Sequence, residues 1–215
     1  MKAPIAGADY LAAIIAGDPR QARAAVERLI AEGVAAREVE LDVLAWAMIA
    51  IGQLWQEARI SVAQEHLATA ITRSQLAWLA PHLASPPPVG RTAVLAGAPG
   101  ELHVLGLQML DDFLTGDGWE ILDLGQAVPA DELVGFVAGR RPAAVGLSTA
   151  LTTKLAAVRT TIARLKALPN TPLVIVGGAA YAGDEALARQ LGADLFAADA
   201  GAASAILRAH FDVLA

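Results

Sequence analysis

PLVIVGG, residues 172–178, is the stretch on which the reading of the fold turns. Leu173, Val174, Ile175 and Val176 run together without a polar interruption, too short for a helix and with no side left for water. Such a run fits a strand buried on both faces, as in a parallel sheet covered by helices on each side. Working outward, comparable runs stand at RTAVLAG (91–97), WEILDLG (119–125), AAVGLS (143–148) and DLFA (194–197). Helical segments are expected near 104–116, 130–139, 152–168, 184–191 and 200–213. This alternation predicts an α/β fold with a flavodoxin-like, doubly wound, five-stranded parallel sheet of order 2-1-3-4-5.

The pattern changes upstream of SPPPVG, residues 85–90, where consecutive prolines stop any helix and favour a stiff connector. Before it the period is helical. Residues 8–16 form a short first helix. Asp18 and Pro19 supply an N-cap and a first-turn proline for a second, which ends near Gly33. A third is expected over 37–57 with Val39, Val43, Trp46 and Ile49 or Ala50 inward. Ser61 and Gln64 make a capping box for a fourth, running to about Leu83. The chain thus divides into an N-terminal four-helix bundle (1–84), a linker (85–90) and a Rossmann-like domain (91–215).

Composition narrows the function classes. Of 215 residues 55% are hydrophobic and only 5% aromatic, and no apolar run approaches the ~18 residues that span a bilayer. No membrane association is expected, and MKAPIAGADY makes a poor export signal, so a cytoplasmic location is expected. A net charge of −6, with basic residues scattered, opposes direct nucleic-acid binding. Zero cysteines exclude disulfides, thiolate metal sites and a cysteine-linked chromophore.

In open α/β sheets ligands gather beyond the carboxyl ends of the strands. His103 follows the first strand, Ser148 ends the third and Gly177-Gly178 ends the fourth, so these segments converge. Glu101, two residues before His103, can hold one imidazole nitrogen and leave the other for a metal. No second histidine or cysteine lies nearby to complete a protein-only zinc site; a lone histidine suits a metal whose other ligands come from a macrocycle. Glu101-Leu102-His103-Val104-Leu105-Gly106, 41 residues, Ser148-Thr149-Ala150, 26 residues, then Gly177-Gly178 resembles the D-x-H-x-x-G, S-x-L, G-G pattern of cobalamin-binding domains, with Glu101 for aspartate and Ala150 for leucine. The resemblance implies that His103 is the lower axial cobalt ligand, displacing the cofactor's benzimidazole tail into the sheet domain. Ser148 would hydrogen-bond that tail, and Gly106, Gly177 and Gly178 would leave room for it. The longer Glu101 would lengthen the contact to His103.

Upstream, Trp55, nine residues, then Glu65-His66 resembles the W-x9-E-H motif of cobalamin-dependent photoreceptors of the MerR-type repressor family. It implies that the helical part caps the upper face of adenosylcobalamin, with Trp55 and Glu65 beside the adenosyl group. His66 would be the upper cobalt ligand after photolysis. The relatives' DNA-binding part is not expected here, so output would pass through a homo-oligomer or an unknown output protein. A sensor of this build also resembles the photocobilins, which adds biliverdin, bound noncovalently, as a second chromophore. The chain is accordingly expected to be a non-enzymatic light sensor; the alternatives are a corrinoid subunit of a methyltransferase or mutase system and a simple cobalamin carrier. Trp46 and Trp78 are expected in the bundle core, Trp119 at the start of a strand, and His82, His210, Asp111 and Asp112 at the surface.

Overall fold

The computed structural model describes residues 5–84 and 86–212. Ser85, the first residue of the expected linker, part of the MKAPIAGADY reading and Val213, the last residue of the expected final helix, lie outside them. The chain divides into two compact units between Leu83 and Ala84.

The first unit is helical: α1 (Ile5–Ile15), α2 (Pro19–Ala31), α3 (Ala36–Glu38), a π-helical segment (Val39–Ala45), α4 (Trp46–Gln56) and α5 (Val62–Leu79). The sequence signals that start these helices act as expected. Asp18 accepts hydrogen bonds from the Arg20 and Gln21 amides at the head of α2, and Ser61 and Gln64 close a reciprocal capping box on α5. The third helical run departs from its expected period. Val39, Val43, Ala47 and Ile51 are buried, whereas Ile49 is 52% exposed. That stripe is spaced by four throughout, and an α-helix would rotate it steadily off one face. The i→i+5 bonding of the π segment offsets the drift and keeps the stripe inward.

Trp46 and Trp78 are half-buried rather than core. Trp46 lies flat on Gly7, where a Cβ would come within 2.9 Å of the indole. Trp78 is a partly open rung, with the Arg23 guanidinium 4.8 Å from one ring centroid and the His82 ring at 4.4 Å. His82 is exposed, its ring tilted against that of Trp78, and it also meets the Trp78 carbonyl through Nδ1 at 3.2 Å.

The second unit is the expected sheet. Its strands are β1 (Thr92–Gly97), β2 (Glu120–Asp123), β3 (Ala144–Ser148), β4 (Leu173–Gly177) and β5 (Leu195–Ala197). All neighbours pair in parallel, in the order β2-β1-β3-β4-β5. Helices α6 (Leu105–Thr115), α7 (Ala130–Arg140), α8 (Leu155–Lys166), α9 (Glu185–Gln190) and α10 (Ala200–Asp212) connect and close it. Alternate strand residues feed two cores. Val94, Val145, Val174 and Val176 pack with α7, α8 and α9, while Leu95, Ala144 and Ile175 pack with α6 and α10. Three helices therefore cover one face, and α6 and α10 pack side by side over the other.

Two details at the far side differ from expectation. Trp119 precedes β2, is buried, and meets Phe211 edge-on at 5.1 Å; His210 is half-buried against the same ring. Asp111 and Asp112 are half-buried, not surface residues, because α6 is flanked by α10 and β2 and has little polar side left. Burial, then the charge of Asp111, pushes the Asp112 carboxyl up to about 6, and one of its oxygens has no hydrogen-bond partner.

Candidate cobalamin site

Between the sheet and the N-terminal parts of α6 and α10 lies a cavity of about 110 Å³ at the carboxyl ends of β3, β4 and β5. Gly106 lines it from α6, Ser148 from β3, and Gly177 and Gly178 from the end of β4. Elements distant in sequence thus bring four of the expected residues to one place.

The glycines serve different purposes. A Cβ on Gly106 would meet nothing within 4 Å, so this position holds open space beside the cavity. Gly178 is fixed by its backbone: φ is +109°, and a Cβ would lie 2.4 Å from the Thr149 carbonyl oxygen. On Gly177 a Cβ would lie 2.7 Å from the Ala197 carbonyl oxygen. The pair therefore does more than leave room for a tail, because it lets β4 close against the chain after β3 and against β5. A further glycine, Gly146, lies within β3 and lines the cavity; a Cβ there would strike Leu95 at 2.7 Å. A glycine inside an otherwise apolar strand was the available signal for such close approach.

Glu101 is fully buried and organises the loops around this cavity. Its Oε1 accepts hydrogen bonds from the Leu102 and His103 amides, both at 2.9 Å, and from His103 Nδ1 at 2.5 Å. Its Oε2 accepts from the Ala150 amide at 2.8 Å and, more weakly, the Leu151 amide at 3.4 Å. Its main-chain carbonyl accepts from the Ala127 amide at 2.9 Å. The loops after β1, β2 and β3 are thereby tied to one residue. The added methylene of glutamate does not lengthen the histidine contact as expected; it reaches the amides of the neighbouring loop while keeping a short bond to the imidazole. Burial opposes the charge on Glu101, but the His103 amide and ring N–H and the Ala150 amide outweigh it and hold the carboxyl below its usual range.

With a carboxylate on Nδ1, that nitrogen carries the proton, and the Nε2 lone pair of the neutral ring is left for a metal. The His103 side chain is 58% exposed. Leu102 and Leu151, both large and exposed, stand in the loops beside it and offer apolar surface to a flat macrocycle. Among the described residues no group of three or more metal-ligating side chains occurs. The buried acceptor, the outward imidazole nitrogen and the open space at Gly106 all fit a corrinoid with a displaced tail.

In the first unit Trp55 lies in the last turn of α4 and is 47% exposed. Glu65 and His66 lie in the first turns of α5, with His66 Nε2 3.5 Å from a Glu65 oxygen and the Thr69 hydroxyl donating to Glu65 at 2.9 Å. The His66 side chain is 75% exposed. None of the three is a core residue.

Residues 91–207 match the B12 binding domain family, and residues 7–80 match a second B12 binding domain model. The chain belongs to this family and is a cobalamin-binding protein. Among curated relatives it is 37% identical over 158 residues to the HTH-type transcriptional repressor CarH of Myxococcus xanthus, covering 72% of this chain and 52% of CarH. It is 32% identical over 108 residues to dimethylamine corrinoid protein 1 of Methanosarcina acetivorans, covering 49% of this chain and 50% of that protein. The chain spans about half the length of these relatives. Among solved structures, the Methanosarcina barkeri monomethylamine corrinoid protein superposes with a TM-score of 0.85 over 94% of this chain and 96% of its own, at 21% identity, which shows a common fold. No helix among the described residues is long and apolar enough to cross a membrane.

Proposed function

We propose that this chain is an adenosylcobalamin-binding light sensor. The observation that carries the reading is the solvent-facing Trp55, in sequence register with Glu65 and His66, in a chain similar to CarH. A tryptophan near the end of an amphipathic helix would ordinarily bury its ring, and an indole left half in water is available to a ligand. Bound adenosylcobalamin would supply a cobalt–carbon bond that light cleaves. His103 would hold cobalt through Nε2, and Glu101 keeps the ring in the tautomer that leaves this nitrogen free. Gly106, Ser148, Gly177 and Gly178 receive the tail. Trp55 and Glu65 pack against and hydrogen-bond the adenosyl group. His66, exposed in the early turns of α5, would be the residue of the first unit available to hold cobalt in place of the adenosyl group. Output passes through a change of assembly or a partner protein, and biliverdin is assigned as a noncovalent second chromophore.

The second reading, a corrinoid subunit that carries methyl groups for a methyltransferase, is favoured by the fold shared with the monomethylamine corrinoid protein and by the likeness to dimethylamine corrinoid protein 1. Absorption spectra of protein reconstituted in the dark with adenosylcobalamin, before and after green light and with and without biliverdin, separate the two. Sensing predicts loss of the alkylcobalamin spectrum on illumination and dependence of the photoproduct on Trp55 and His66. A photostable spectrum, with preference for methylcobalamin, selects the second reading. A red or far-red band on adding biliverdin supports the second chromophore, and its absence removes it.

A further inference from the structure

The carboxyl edge of the sheet in the second unit is strongly acidic. Counting the strand ends, the loops that follow them and the first turn of each succeeding helix, the charged residues besides Glu101 include Asp123, Asp131, Glu132, Asp184, Glu185 and Asp199. Lys154 is the one lysine or arginine there. It stands in the short 3-10 turn Thr152–Lys154, on the loop that leaves Ser148 and supplies the amides bound by Glu101. Its side chain is half-buried and folds back over the loop after β1. A Cβ on Gly100 would lie 3.0 Å from Nζ and 3.7 Å from Cε, and Gly100, at φ +77°, has none.

None of the neighbouring acids takes this ammonium as an ion-pair partner. Asp184 and Asp199 cap helices by accepting the Leu187 and Ala202 amides, Asp123 accepts the Gly125 amide, and Asp131 pairs with Arg164. A half-buried cation on the loop after β3, lying over Gly100 and paired with none of the acids of its own edge, is placed for an anion from outside the chain.

We propose that Lys154 binds the phosphodiester of the cofactor's nucleotide tail and so makes the site select cobalamins that carry a complete tail. This rests on the reading that the tail enters the second unit. The phosphodiester is the tail's anionic group; the amide side chains of the corrin are neutral. Arg164 and Arg189 reach this edge but are taken up by Asp131 and Glu185, which leaves Lys154 as a cation there to meet the phosphodiester.

The test compares Lys154→Gln and Lys154→Arg with the unchanged protein, titrating each with cobalamin and with cobinamide, which lacks the nucleotide. A charge-assisted contact at a half-exposed site predicts that Lys154→Gln weakens cobalamin binding about 10-fold at low salt. Cobinamide binding stays unchanged, Lys154→Arg retains most of the preference, and added salt narrows the gap only where the cation is present. Thermal unfolding without cofactor should be the same for all three proteins. Equal losses for both corrinoids, or no loss for either, would overturn the proposal. The parent reading is tested separately by His103→Ala: if that variant binds cobalamin with an unchanged absorption spectrum, imidazole ligation fails whatever Lys154 does. With imidazole ligation intact, equal binding of both corrinoids by Lys154→Gln and the unchanged protein overturns the lysine contact alone.

Discussion

Replacing Glu101 by alanine removes the acceptor for three strong amide bonds at 2.8–2.9 Å, from Leu102, His103 and Ala150, together with the imidazole contact. Each amide left buried without an acceptor costs ~1–3 kcal/mol, and water admitted into the vacated volume recovers part of that, so the second unit should lose ~3–5 kcal/mol. In urea, with a slope of ~2 kcal/mol per molar, the midpoint should fall by ~1.5–2.5 M. The pH dependence gives an internal check. Glu101 titrates below its ordinary value of 4.5 in the folded chain, so its stabilisation is fully present above that value and is lost as pH falls through the lower folded value. The gap between the two proteins should therefore be constant near neutrality and close only in strong acid. Urea unfolding followed by circular dichroism from pH 3 to 8 measures it. A midpoint within 0.3 M of the unchanged protein near neutrality, roughly the ±0.5 kcal/mol of an ordinary surface substitution, would refute the view of Glu101 as the tie among three loops.

The glycines separate space for a ligand from space for the backbone. Gly178→Ala places a methyl 2.4 Å from the Thr149 carbonyl oxygen at φ +109° and should destabilise the chain by ~3 kcal/mol or more, read by thermal unfolding. Gly106→Ala fills open space on a helix, so it should raise stability without cofactor by up to ~1 kcal/mol while weakening cobalamin binding in a titration. Asp112, raised to about 6, disfavours the folded state progressively as pH rises from the ordinary aspartate range through that value; discounted for its partial exposure, Asp112→Asn should gain ~1 kcal/mol at neutral pH and little at pH 4, measured by urea unfolding. Trp55→Ala should change stability without cofactor by less than ~1 kcal/mol yet greatly alter the light-induced spectral change, since its ring is half exposed.

The sheet was legible because its strands carry information locally. Val174, Ile175 and Val176 can only be buried on both faces, and alternation with helices then fixes a parallel order. Helix starts were legible for the same reason, since Asp18 and Ser61 act on amides within three residues. The π segment left no local trace: Val39, Val43 and Trp46 read as one α-helical stripe, and only packing against other helices selects Ala47 and Ile51 instead. The site was half legible. Glu101 and His103 share a short extended segment, so their contact follows from spacing. The bridge from Glu101 to Ala150 and Leu151 uses main-chain amides 49 and 50 residues away, which no side-chain pattern announces. The roles of Gly177 and Gly178 were hidden likewise, because the obstructing atoms are backbone carbonyls of Ala197 and Thr149.

Ligation of cobalt by His103 is the claim on which the rest depends. Protein loaded with cob(II)alamin and grown with histidine enriched in heavy nitrogen would give the most direct reading, through the EPR lines split by the axial nitrogen. The splitting should change pattern with the labelled histidine and disappear in His103→Ala. A splitting indifferent to the label, and retained in that variant, would mean that the cofactor keeps its own benzimidazole and that His103 does not hold the metal.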